Sequence, residues 1–78
     1  MTHIALGRRD VRSGGYFISC HYKADMDKMK FGLPLIRVWV DQHLGHFQVR
    51  WVSNYLPLEE LKHCIGLIDH EIGKGDDV

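Results

Sequence analysis

Histidine and cysteine are the side chains here best suited to hold a metal or carry a nucleophile, and the chain has six of the first and two of the second. His43-Leu44-Gly45-His46 sets two histidines three apart in a turn, while Cys20-His21 and His63-Cys64 are adjacent pairs. A zinc site needs four ligands converging on one tetrahedral centre. Neighbours on a strand point to opposite faces, and neighbours on a helix diverge by about 100°, so neither adjacent pair readily shares a centre. The expectation is scattered surface histidines, small buried thiols, and no metal or other cofactor. A cysteine nucleophile needs a partly exposed, electropositive setting with a base in reach, and His63 diverges from Cys64. There is no Gly-x-Ser-x-Gly elbow, and no glycine loop between strand and helix to cradle a phosphate; Gly14-Gly15 reads as a hairpin turn. Glu59, Glu60, Asp69 and Glu71 read as solvated helix charges. No catalytic residue is expected, and the chain does not read as an enzyme.

The remaining chemistry is that of a binding surface. Leu35–Asp41 alternates Ile36, Val38 and Val40 against Arg37 and Trp39, and His46–Val52 alternates Phe47, Val49 and Trp51 against His46, Gln48 and Arg50. Tyr16–Tyr22 sets Tyr16, Ile18, Cys20 and Tyr22 against Phe17, Ser19 and His21. The side-chain period of a strand is two, so the sheet has one apolar face and one mixed face. The mixed face gives the candidate partner-binding set: Phe17, His21, Arg37, Trp39, Gln48 and Arg50, with Leu35 and Val52 beside them. Cores of protein interfaces are enriched in Trp, Tyr, Phe, Met and Arg and depleted in Lys and Glu. The expected function is therefore non-enzymatic protein binding, of adaptor or inhibitor type, through this face, with a homodimer as the simplest version. Small accessory proteins, including those of phages and mobile elements, often have this make-up, though that is analogy alone. The alternative is nucleic acid, since aromatic residues among arginines can stack bases and pair phosphates. A third reading covers Phe17 and Trp39 with the segment 26–33.

Charge bears on that choice. Ten basic and ten acidic residues cancel, which argues against non-specific polyanion binding. Arg8, Arg9 and Arg12 nevertheless cluster near the N-terminus. A length of 78 residues, 45% hydrophobic and 26% charged, suits one small folded domain, expected over 1–73 with a frayed tail at 74–78. No apolar run approaches the roughly 18 residues of a membrane span. The N-terminal MTHIALGRRD does not read as a secretory leader. A reducing cytoplasm with both thiols free is the expected location.

The elements that must carry these residues follow from local signals. Thr2–Leu6 is a short strand candidate that runs on through Arg9 and Val11 or breaks at Gly7. Residues 23–34 are the least regular stretch, with room for a helical turn over 24–31, and Pro34 suits the mouth of a strand. Gly45 can supply a left-handed position between two strands. Leu58, Leu61, Ile65, Ile68 and Ile72, with Cys64 beside them, form a helical stripe. Pro57 suits the first turn and Gly73 the C-cap. Gly66 costs about 1 kcal/mol relative to alanine in mid-helix, for which close packing on the sheet is one reason. The order ββ–irregular–ββ–α predicts an α+β fold: a four-stranded, mainly antiparallel sheet packed on one face by a C-terminal helix. Tyr16, Ile18, Val38, Val40, Phe47, Val49 and Trp51 are expected beneath the helical stripe.

Overall fold

Alternating β-branched and aromatic residues draw the middle of the chain into two long strands, on which everything else is hung. The computed structural model describes residues 3–25 and 30–75. Its elements are β1 (Ile4–Leu6), β2 (Asp10–Arg12), β3 (Gly15–Asp25), β4 (Lys30–Asp41), β5 (Phe47–Val52) and α1 (Leu58–Gly75). The sheet runs β1-β3-β4-β5, with β2 also paired to β3, and every pairing is antiparallel. This is the expected α+β arrangement, with α1 on one face. There are five strands because the first hairpin arm breaks at 7–9. There the Gly7 amide donates to the Ser19 carbonyl at 2.6 Å. A Cβ on Gly7 would lie 2.7 Å from Ser19 Oγ, so a larger residue would have to displace the Ser19 and His21 side chains. The αL position between β4 and β5 is filled as expected, by Gly45 at φ 68°.

Two of the sheet's four register shifts redirect residues between its faces. On β4, Cys20↔Ile36 is followed by His21↔Pro34. Leu35 is thus an extra residue, and it turns inward to 3% exposure beside fully buried Ile36. Leu35 therefore belongs to the core, not to the open face. On β5, Arg37 stands opposite Trp51 and Val38 opposite Val49, leaving Arg50 without a partner residue. The extra residue moves Trp51 to the face of Arg37 and puts Val52 opposite buried Ile36. Trp51 is 47% exposed, which corrects its expected place in the core. Val52, with Leu56 from the following loop, packs against the core where a regular strand would have put the indole.

The segment 23–34 also differs from expectation. Lys23↔Phe31 and Asp25↔Lys30 are paired, so 24–25 and 30–31 extend the hairpin arms rather than form a helical turn; 26–29 lie outside the described residues. Pro34 sits inside β4, not at its mouth. It pairs with His21 next to a break in register, and a bulge is one of the places where a sheet tolerates proline.

The core is Ile18, Cys20, Leu35, Ile36, Val38 and Val40 from the sheet against Cys64, Ile68 and Ile72 from the helix. The helical residues are four apart, so they stand one above another on one stripe. The Pro57 carbonyl accepts the first helical bond from the Leu61 amide at 2.9 Å. Glu59 and Glu60 then suit the positive end of the dipole and Lys74 the negative end. The helix continues through Gly73 to Gly75, so Gly73 is not a C-cap and 74–75 are helix rather than tail. Gly66 faces open space, with nothing within 4 Å of a Cβ built there; close packing is not the reason for it. The helix lies over β3 and β1. Val49 is consequently 48% exposed although it points to the helix side, and Leu58 of the predicted stripe is exposed as well. Among the described residues no helix is long and apolar enough to cross a membrane.

Candidate interaction face

Three rows of side chains cross the face opposite the helix. Register places Asp10, Phe17, Trp39 and Gln48 in the first row, Ser19, Arg37 and Trp51 in the second, and Ala5, His21 and Pro34 in the third. The first row carries the aromatic pair. Phe17 and Trp39 meet edge to face, with centroids 4.9 Å apart and planes at 62°, an arrangement favoured by their quadrupoles. Trp39 also lies over Gly15, where a Cβ would sit 2.7 Å from the indole Cζ2. The glycine at the start of β3 is therefore what allows the indole to lie down on the sheet, half-buried and fixed in place.

Arg37 joins the first two rows. Its guanidinium lies 4.3 Å over the Phe17 ring and reaches Asp10 Oδ2 at 3.4 Å. Arg12 binds both oxygens of the same carboxylate, at 3.1 and 3.0 Å. The hydrogen bond from Arg12 holds the Asp10 carboxyl below its ordinary value, helped by the charge of Arg37. The carboxylate in turn raises Arg12. Trp51 stands across from Arg37 at the rim and is more exposed than Trp39. Both tryptophans of the chain thus lie on this face.

Of the six residues expected here, Phe17, Arg37, Trp39 and Gln48 fall together in adjacent rows. His21 is on the same face but is held by its neighbours. Its Nε2 is 2.7 Å from Ser19 Oγ and its Nδ1 3.3 Å from the Gly32 carbonyl. A carbonyl only accepts, so Nδ1 carries a proton toward Gly32, and in the neutral ring Nε2 accepts from the serine hydroxyl. Gly7 closes over this pair, which makes the histidine a clasp at the strand break as well as a surface residue. Arg50 is exposed at the bulge next to Trp51 and makes no ion pair among the described residues. Sequence reading missed Trp51, Asp10 and Arg12. The last two were within reach: Ser13-Gly14 as a two-residue turn puts Asp10 opposite Phe17.

No protein-family model matches the chain, and no curated protein or solved structure is significantly similar to it.

Elsewhere, a cavity of about 220 Å³ opens beside Arg9, Tyr16, Val40, Gln42 and Ile72, on the helix side. It is smaller than the roughly 300–1,000 Å³ of ordinary ligand sites. Its arginine is committed, being over the Tyr16 ring at 4.4 Å and 3.3 Å from Glu71. The two thiols are buried and free. Cys20 Sγ donates to the Cys64 carbonyl at 3.7 Å, and burial pushes the Cys20 thiol up to about 12, away from nucleophilic use. Among the described residues no group of three or more His, Cys, Asp or Glu is arranged to hold a metal ion.

Proposed function

We propose that this chain is a non-enzymatic protein-binding module of adaptor or inhibitor type, acting in the cytoplasm through the sheet face opposite α1. The observation that carries the reading is the β5 bulge. It turns Trp51 out beside Arg37, next to the Phe17–Trp39 pair, and leaves a large apolar side chain half-exposed where alternation would have buried it. Indole and guanidinium groups are over-represented among the anchors of protein interfaces. Their surroundings are short of lysine and glutamate, as such interfaces are.

Nucleic acid is the second reading, favoured by the same aromatic residues. Against it stands the pairing of Arg12 and Arg37 with Asp10, which consumes charge that a phosphate backbone would need. A homodimer through the β5 edge is opposed by the bulge itself, a common way of blunting an edge strand.

The test is retention from nuclease-treated lysate on native protein, Trp51→Ala and Arg37→Gln, with circular dichroism confirming that each is folded. A stoichiometric protein kept by the native chain and lost by both variants is the expected result. Identical retention by all three, or recovery of nucleic acid alone when nuclease is omitted, overturns it.

A further inference from the structure

We infer that the partner presents an acidic peptide segment. A carboxylate of that segment meets the Arg12–Arg37 pair, and its apolar side chains lie between Trp39 and Trp51. This rests on the protein-binding reading above and adds the chemistry of the partner. The argument is charge complementarity. Two guanidinium groups on the face share the single Asp10 carboxylate, and Arg50 beside Trp51 has no ionic partner among the described residues. The face is thus left with positive charge in excess, although the whole chain is neutral. One or two carboxylates would satisfy that excess, through charge-assisted hydrogen bonds from the guanidinium N–H groups that Asp10 leaves over. A run of phosphates would not find enough cations and would press against Asp10.

Among the described residues, most of the compensating negative charge lies on the other side of the molecule and is bonded there. In α1, Glu59 is paired with Lys62, Glu60 accepts from the Tyr22 hydroxyl, and Glu71 is paired with Arg9. Asp41 caps the His43 and Leu44 amides at 2.9 and 3.0 Å. A second copy that offered its helix to the face would bring one uncommitted carboxylate, Asp69, and would have to break those contacts to offer more. Two copies face to face would set arginine against arginine. An outside partner with uncommitted Asp or Glu next to apolar residues meets neither obstacle.

The chain carries its own probe, because its two tryptophans both lie on this face. A displayed library of randomised peptides is selected on the native protein, and the enriched peptides are synthesised and titrated by tryptophan emission. The expected result is enrichment of Asp or Glu interspersed with apolar residues. Binding should weaken about tenfold or more in Arg37→Gln and in Arg12→Gln, the scale of one charge-assisted hydrogen bond, and should persist in Arg9→Gln on the helix side. Peptides that carry no acidic bias but fail on Trp51→Ala overturn the acidic partner and leave the face as the binding surface. Peptides indifferent to Trp51→Ala and Arg37→Gln alike, or no enrichment at all, overturn both. Tighter binding of a single-stranded oligonucleotide, or self-association of the free chain in light scattering, likewise overturns the inference by giving the face another occupant.

Discussion

Trp51 and Ile36 sit one rung apart on neighbouring strands, yet truncating them should have very different costs. Ile36 is completely enclosed by the sheet and helix, so Ile36→Ala removes buried methylenes and leaves a void. Such changes cost about 2–5 kcal/mol, a large share of what a domain this small can hold in reserve. Trp51 is about half exposed and stands across from Arg37, so Trp51→Ala should cost clearly less, on the order of 1 kcal/mol. Urea denaturation of the two variants checks this, and equal losses would put the indole back in the core. The contrast also makes Trp51 the cleaner variant for binding experiments. Trp39, wedged between Phe17 and Gly15, would confound a lost partner with a disturbed sheet. Phe17, Arg37, Trp39 and Gln48 were legible from alternation alone, because no irregularity intervenes between Phe17↔Trp39 and Trp39↔Gln48.

At the scale of the element, β5 decides which residues are available. Without its bulge the strand would send Phe47, Val49 and Trp51 to the helix side and Val52 to the open face. With it, Arg50 absorbs one position and the last two residues exchange faces. Deleting Arg50 tests the arrangement. Val49, Trp51 and Val52 would then alternate regularly and keep their observed faces, so the fold should survive with little loss and the Trp51 emission should stay that of an exposed indole. Had the native strand been regular, the deletion would throw Trp51 and Val52 out of register, with a large drop in the urea midpoint and a shift in emission. The helix was the easiest element to foresee, since its stripe repeats over several turns. Its end was not, because a Gly is a natural stop only where the chain needs a left-handed residue, and α1 does not turn at Gly73.

The whole molecule is a single sheet with one helix laid across part of it. That incomplete cover determines both its surface and its response to pH. Cys20 is enclosed where helix meets sheet, and its pKa rises from the ordinary 9.0 to about 12, chiefly by burial. A raised value in the folded state means the contribution to stability is intact below the unfolded value and is lost as pH climbs through the folded one. Tyr22, raised first by its bond to Glu60, acts in the same direction. Asp10 and Asp41 are lowered, by the Arg12 hydrogen bond and by the His43 and Leu44 amides respectively, so their contribution is lost as pH falls below the usual 3.8. Urea midpoints should therefore fall from about pH 9 toward 12, and fall again in acid. Cys20→Ala should flatten the alkaline limb; an unchanged limb would mean the thiol is not enclosed as described. What the sequence alone determined was the class of fold, the helix, the pairing of one apolar with one mixed face, and four residues of that mixed face. All of these rest on periodicities that each residue carries locally. Only the tertiary structure decided that Leu35 turns in, that Trp51 turns out, and that Asp10 holds Arg12 and Arg37. A bulge or a register is a compromise between strands distant in the chain, and it is settled by which set of side chains fills the space beneath the helix.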